Sequence, residues 1–306
     1  MIKIYHKAIR EHGLSELSAF KVGSWIYAEN PTQEELDQLV ADYKLDRGLL
    51  GDALDPYEVP RLEHEGTVTY VFTRIPLREG KNITTLPLLI ALGENFLLTV
   101  CKKPLPFLDR FAQGKVDFFT TQKSRLFTQL ISEINLAYQA FLAEISRNVR
   151  SMTVQFERIE NRDIIRFVVF ESALNDFIAV LLPTNRILES ILTGRYFKLY
   201  EQDQELTQDV FLANGQLIES SKSNLKTITN FREAYSTIVT NDLNRVIKLL
   251  TSLTVVLAIP TMIASFYGMN VPLPFSNSPL AFFGILAVTV PISVLVLTLF
   301  MSRRWL

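Results

Sequence analysis

Small and oxygen-bearing side chains recur at helical spacing in an apolar stretch near the carboxyl end of the chain. At alternating intervals of three and four residues, the spacing of one helix face, the chain carries Asn244, Ile247, Thr251, Thr254, Ala258, Thr261 and Ser265. Such a face is typical of close packing between membrane helices, and equally of a pore lining where hydroxyls meet water. The pattern alone favours neither alternative, but a pore needs several copies of the chain around one axis.

Two long uncharged segments surround this pattern. Leu249–Tyr267 has no charged residue over 19 positions, and Leu280–Ser302 has none over 23. As helices they extend about 28 and 34 Å, close to the hydrocarbon thickness of about 30 Å. The sequence therefore predicts two transmembrane helices, and the alternative is two buried helices of a large soluble core.

The charges next to these segments predict their orientation. Arg245 and Lys248 precede the first segment, Arg303 and Arg304 follow the second, and the connection 268–279 is uncharged. Positive residues mark the cytoplasmic side, so we expect both termini in the cytoplasm and only the short loop outside. Localisation in the cell (inner) membrane follows.

The remaining composition excludes several function classes. Thirty-one basic residues balance 32 acidic ones without a basic tract, which argues against a nucleic-acid partner. The chain has no phosphate-binding loop, so no nucleotide is expected, and its single cysteine, Cys101, excludes an intrachain disulfide. Acidic residues around Asp55-Pro-Tyr are typical of a solvated turn rather than a catalytic site. The sequence indicates that the protein is not an enzyme.

Residues 1–118 predict a cytosolic α/β domain. Strand-like segments at 67–77 and 83–92 flank a polar turn and predict a hairpin, and a short strand follows at 96–100. Thr32-Gln-Glu-Glu35 is a capping box that predicts a helix to about Tyr43.

Residues 119–248 predict a second cytosolic region made of long helices, followed by a membrane domain over 249–306. We expect helices near 121–158, 161–193 and 195–267, the last running unbroken into the first transmembrane segment. On it, a seven-residue register includes Val210, Leu217, Phe231 and Ile238, with Ile228 and Tyr235 beside them and Asn224 interrupting. This register indicates either association between copies or packing of an amphipathic helix on its own domain.

The segment Tyr267-Gly-Met-Asn270, at the end of the first apolar segment, resembles the signature of the CorA family of divalent-cation channels with two transmembrane helices. The likeness extends over 244–270 and to the basic-aromatic end 303–306, and upstream to 54–63 and 93–99. It implies a funnel-shaped homopentamer: a cytosolic α/β domain, a long helical stalk and two C-terminal transmembrane helices.

The resemblance also implies roles for individual residues. Gly268, Met269 and Asn270 would form the selective outer mouth, Thr261 a polar ring in mid-pore, Ile247 and Leu250 an apolar constriction, and Asn244 a cytoplasmic ring. It places Thr251, Thr254, Ala258 and Ser265 in the pore lining. Asp209, in Asp209-Val-Phe211, looks like a regulatory metal ligand between neighbouring subunits, and a solvated stalk residue is the alternative.

The expected function is passive uptake of Mg²⁺, driven by the membrane potential and inhibited by cytosolic Mg²⁺ bound between subunits. Mg²⁺ loses its water reluctantly, and a ring of amides can hold the hydrated ion by accepting hydrogen bonds from its waters. The expected partners are other copies of the chain, the lipid bilayer and divalent cations.

Two alternatives stay open. Many family members carry an acidic residue in the external loop, whereas this loop is uncharged, so a zinc or broader transporter of Co²⁺, Ni²⁺ or Zn²⁺ is possible. Met269 favours magnesium, because the zinc branch often departs from Gly-Met-Asn at this position. The other alternative is a membrane-anchored signalling or scaffolding oligomer that conducts no ion.

Overall fold

A seven-stranded sheet forms the amino-terminal part of the protein. The computed structural model describes residues 1–303 apart from 12, 81, 155–160, 198, 272 and 275–277. The strands are β1 (Ile2–His6), β2 (Ser15–Leu17), β3 (Ser24–Glu29), β4 (Arg61–Glu65), β5 (Val68–Glu79), β6 (Asn82–Leu92) and β7 (Phe96–Cys101). Their order in the sheet is β2-β1-β3-β7-β6-β5-β4, with β3 and β7 parallel and the other neighbours antiparallel.

The predicted hairpin is present, with longer strands than the sequence indicates. β5 and β6 stay paired as far as Glu79 opposite Asn82, so Arg78 and Glu79 belong to the ladder rather than to the turn. Gly80 has a φ of +62°, a conformation that glycine adopts at little cost and that tight hairpin turns require. Gly80 thus suits the short turn, whose other residue, Lys81, lies outside the described residues.

Short helices cover the sheet. They are α1 (Gln33–Tyr43), α2 (Arg47–Asp52) and α3 (Leu108–Ala112). The predicted capping box of α1 is confirmed, because Glu35 N donates to Thr32 Oγ1 at 3.2 Å and Thr32 N donates to Glu35 Oε2 at 2.9 Å. Leu36 and Leu39 of this helix are buried in a core with Ile26, Phe72 and other strand residues.

Four long helices make up most of the rest of the chain: α4 (Lys123–Val154), α5 (Asn161–Leu192), α6 (Glu201–Tyr267) and α7 (Ala281–Ser302). These ranges agree with the helices expected from the sequence, except that α6 begins at Glu201 instead of 195. The predicted continuation of the first helix through 155–158 lies outside the described residues. α6 is one helix of 67 residues, although Pro260 lies inside it.

The chain divides into two compact units, Met1–Thr229 and Asn230–Leu306. The predicted division at 118/119 and 248/249 stays a prediction. The seven-residue register on α6 has mixed surroundings: Val210 and Leu217 are buried, whereas Ile238 is 43% exposed. Val210 and Leu217 therefore pack within a single chain, which favours the alternative of an amphipathic helix packed on its own domain for this part of the register.

We expect Cys101 to be inert towards thiol reagents in the folded protein. Its side chain is buried in β7, and burial raises the pKa of the thiol to about 12, so the reactive thiolate is scarce at neutral pH. Alkylation at pH 7 should be about a hundredfold slower than in the unfolded chain. The exposed variant Ser18→Cys supplies the matched control. Equal labelling rates for Cys101 and Ser18→Cys would contradict this assignment.

Candidate ion pathway

One face of α6 is covered by α7 within the second unit. Ser252 is fully buried, and Val256, Ile259 and Ile263 on the same face are partly covered. The facing positions of α7 are spaced by four residues and are mostly small: Ala281, Ile285, Thr289 and Ser293. Small residues let membrane helices approach each other, so these positions mark the side of α7 that faces α6.

The small and polar residues that the sequence places on one helix face, which we call the stripe, lie on the opposite face of α6. All its members are exposed, namely Asn244, Ile247, Thr251, Thr254, Ala258, Thr261 and Ser265. Leu250, beside this stripe, is 63% exposed. Packing between α6 and α7 therefore does not explain the stripe, because α7 contacts other residues.

Two threonines of the stripe present their oxygen atoms as acceptors. Thr254 Oγ1 donates to Leu250 O at 2.8 Å, and Thr261 Oγ1 donates to Leu257 O at 2.9 Å. Each hydroxyl proton is thus used within the helix, and the lone pairs on the oxygen remain free to accept. An exposed oxygen of this kind can accept a hydrogen bond from water bound to a cation.

The Gly-Met-Asn segment forms the turn that ends α6. Gly268 N donates to Ala264 O at 3.0 Å, and Met269 N donates to Phe266 O at 3.2 Å, which satisfies carbonyl groups of the last helical turn. Asn270 follows directly and is exposed. Its amide stands at the end of the helix that carries the stripe.

Asp209 lies in the first unit, far along the chain from the stripe. Its side chain is exposed on the rim of a groove of ≈450 Å³ between α4 and α6. Within the described part of the chain, no group of three or more His, Cys, Asp or Glu side chains could hold a metal ion. A metal at Asp209 thus needs further ligands from water or from another copy.

The acidic residues near Asp55 are partly neutralised by one arginine. Arg61 donates to Asp52 Oδ2 at 2.7 Å and to Glu63 Oε1 at 2.5 Å, and it also pairs with Glu58. Arg61 further lies over the Phe72 ring, 4.1 Å from its centre. This arrangement ties the acidic residues to the edge of the sheet.

The sequence analysis missed the polar residues of the packed face. Ser252, Thr289 and Ser293 carry hydroxyls in the contact between α6 and α7, and Ser252 Oγ and Ser293 Oγ have no hydrogen-bond partner among the described residues. The four-residue spacing of Ala281, Ile285, Thr289 and Ser293 could have identified them from the sequence. Such spacing places residues on one face of a helix, as it does for the stripe on α6.

Comparison with known proteins identifies the family. Residues 20–304 match the family described as CorA-like Mg²⁺ transporter protein. The chain belongs to this family. The cobalt/magnesium transport protein CorA of Methanocaldococcus jannaschii is 24% identical over 293 residues, which cover 92% of this chain and 91% of that protein.

Solved structures share the fold. The complete structure of the CorA magnesium transporter from M. jannaschii aligns with a TM-score of 0.87 at 22% identity, over 100% of this chain and 99% of that one. The full-length CmaX protein aligns with a TM-score of 0.76 at 16% identity, over 96% and 97% of the two chains. The predicted fold class is confirmed: an N-terminal α/β domain, a long helix and two C-terminal apolar helices.

The CorA family consists of membrane transporters, and this chain has the corresponding helices. α6 and α7 each contain a stretch long and apolar enough to cross a membrane, and only 6% of each stretch is buried. Core helices of a soluble protein are mostly buried, so the alternative of two core helices is not supported. Arg304 and the aromatic end at 305–306 lie outside the described residues.

Substitutions on the two faces of α6 should have different effects on stability. Ser252→Leu introduces a large side chain at a fully buried position, which should destabilise the unit by about 1–3 kcal/mol and lower its unfolding temperature in detergent. Thr251→Leu, one residue away on the exposed stripe, is the matched control and should leave that temperature unchanged. Equal losses for both variants would show that the two faces are not distinct.

Proposed function

We propose that the protein is a passive Mg²⁺ channel in which five copies place their α6 stripes around a common axis. The supporting observation is the row of exposed, uncharged, oxygen-bearing residues on the face of α6 turned away from α7. A single chain with two membrane helices cannot enclose a pore, whereas a ring of copies can. The family relationship supports the same function.

The chemistry of the stripe suits a hydrated cation. Asn270 supplies a neutral amide oxygen at the mouth, and Thr254 and Thr261 supply hydroxyl oxygens whose protons are already used within the helix. Mg²⁺ usually keeps several of its waters in proteins, so accepting hydrogen bonds from those waters avoids the cost of removing them. Neutral oxygens also bind the ion weakly enough to release it.

Two apolar residues at the cytoplasmic end of the stripe supply a gate. Ile247 and Leu250 are 51% and 63% exposed, and a ring of such side chains stops flow by excluding water. Inward movement needs no other energy source, because two charges crossing 100 mV gain about 4.6 kcal/mol. Arg245, Lys248 and Arg303 favour a cytoplasmic position for both termini in the inner membrane.

Regulation by cytosolic Mg²⁺ is assigned to Asp209. The carboxylate is exposed, and α6 continues without a break from Asp209 to the stripe. An ion shared between Asp209 and groups of a neighbouring copy would hold the ring closed, and its loss would release the subunits.

A broader divalent-cation transporter is the second candidate. The described loop residues after Asn270 carry no charge, and amide oxygens discriminate poorly between Mg²⁺, Co²⁺, Ni²⁺ and Zn²⁺. The relative from M. jannaschii is named for both cobalt and magnesium transport. Flux of each ion into proteoliposomes at matched gradients separates these candidates, and no flux of any ion would favour a scaffolding role.

Asn270→Ala should abolish selective Mg²⁺ uptake while the oligomer stays assembled. Removing the amide deletes the acceptor at the mouth, and no described charged residue nearby replaces it. Mg²⁺ flux into liposomes and size-exclusion chromatography measure the two properties. Asn241→Ala, an exposed asparagine of α6 outside the stripe, is the control. Mg²⁺ flux at the wild-type level in Asn270→Ala would refute the proposal that Asn270 forms the outer mouth of the pore.

Asp209→Asn should keep the channel active at cytosolic Mg²⁺ concentrations that inhibit the wild type, because it removes the proposed ligand charge. Asp209→Lys also removes the ligand, but its positive charge can instead bridge subunits and hold the channel closed. Inhibition curves for flux against cytosolic Mg²⁺ distinguish these outcomes. Curves that match the wild type for both variants would identify Asp209 as a solvated residue without a regulatory role.

A further inference from the structure

A pocket of ≈480 Å³ lies in the first unit where α4 begins, and we call it the Lys123 pocket. Its walls come from the start of β5, the turn between β6 and β7, the first residues of α4 and the chain before α6. Among the described residues, none lines both this pocket and the groove that Asp209 borders. Pockets that hold small organic molecules enclose about 300–1,000 Å³, so this one is large enough for such a ligand.

Lys123 brings a positive charge into this pocket without a matching carboxylate. Its ammonium donates to Gly93 O and Glu94 O, both neutral carbonyls of the turn between β6 and β7, and it forms no ion pair with a described carboxylate. Burial lowers the pKa of Lys123 although Glu94 is near, because the cost of removing the ammonium from water exceeds the attraction to that carboxylate. A lysine has three N–H donors, so one remains for an anion in the pocket.

The start of α4 adds to this positive charge. The helix has 32 residues and no acidic residue in its first turn, and the backbone N–H groups of a first turn carry partial positive charge. Asp203 of α6 accepts from Ser124 Oγ at 2.6 Å and offsets part of this field. The full charge of Lys123 is therefore the main attraction for an anion, and the helix end supports it.

Two aromatic rings line the same pocket, those of Tyr196 and Phe197 in the chain before α6. The Phe197 ring packs on the fully buried Phe127 ring of α4, with 5.7 Å between their centres. Thr69 Oγ1 donates to Tyr196 O at 3.5 Å, and the His64 ring lies 6.4 Å from the Tyr196 ring. These contacts hold both rings in place, and such rings pack favourably against a planar group such as a nucleobase.

One polar group of the wall has no partner inside the protein. Gln122 lines the pocket directly before α4, and its Oε1 is buried without a hydrogen-bond partner among the described residues. Buried side-chain acceptors are nearly always paired, so this amide is available to a donor that the chain does not supply. The exocyclic amine and the sugar hydroxyls of a nucleoside are donors of this kind.

We propose that the Lys123 pocket binds a nucleoside monophosphate, with the phosphate at Lys123 and the base against Tyr196 and Phe197. A nucleotide joins an anion that suits the lysine to a planar ring that suits the aromatic side chains. The absence of a phosphate-binding loop predicts no nucleotide from the sequence, whereas the fold brings together a lysine and two rings that are far apart along the chain. The proposal does not rest on the channel function.

Equilibrium dialysis of labelled AMP against the full-length protein in detergent tests this site. AMP is the probe because it joins one phosphate to a sugar and a purine base. We expect saturable binding of one AMP per chain. The affinity should be about tenfold higher than for adenosine, which lacks the phosphate, and than for ribose 5-phosphate, which lacks the base.

Two substitutions separate the parts of the site. Lys123→Gln removes the charge but keeps a donor for the turn, so the affinity for AMP should fall about tenfold while that for adenosine stays unchanged. Tyr196→Leu removes a ring and should weaken AMP and adenosine alike, whereas Tyr196→Phe keeps the ring and should bind as the wild type does. Lys115→Gln and Tyr57→Leu, both exposed and outside the pocket, are the matched controls.

No saturable binding of AMP by the wild type would overturn the proposal. An affinity for AMP that neither Lys123→Gln nor Tyr196→Leu lowers would also overturn it, since the ligand would then lie elsewhere. Equal affinities for AMP and inorganic phosphate would contradict the role of the rings. Because binding is measured without transport, these outcomes are independent of whether the protein conducts Mg²⁺.

Discussion

Backbone groups inside a hydrocarbon layer must find their hydrogen-bond partners within the protein, and this requirement determines the form of the second unit. It makes α6 and α7 continuous helices and confines the non-helical backbone to a short connection that begins at Gly268. Once both segments are helical, their side chains divide into faces. Covering one face of α6 with α7 leaves the opposite face, with its neutral oxygens, available to other copies.

Threonines that bond to their own helix occur in both units. On the exposed stripe, Thr254 and Thr261 use their protons internally and offer oxygen lone pairs outward. Between α4 and α6, the buried hydroxyls of Thr128 and Thr207 have acceptors of the same kind on their own helices and also lie 2.9 Å from each other. The same local interaction thus occurs on an exposed surface and inside a packed contact.

The first unit is held together by aromatic packing and by local ion pairs. The sheet and α5 hold α4 through buried aromatic contacts, including Tyr138 against Phe177. Buried Asn214 of α6 in turn donates to Leu181 O of α5 at 2.8 Å. Arg61 draws the acidic residues around it into a local network of ion pairs.

The sequence by itself determined the features that depend on local backbone chemistry and on the period of hydrophobic residues. These include the capping box at Thr32, the β5–β6 hairpin, the four long helices and the two apolar segments. The helical stripe containing Thr254 and Thr261 was also visible, because i, i+3 and i, i+4 spacing defines a face. Tertiary structure alone decided what each face meets: α7 faces α6 near Pro260 and Ala264, and Asn135 of α4 donates to the carbonyl of Val210 on α6. Periodicity identifies a face but not its partner, because the partner comes from a remote part of the chain.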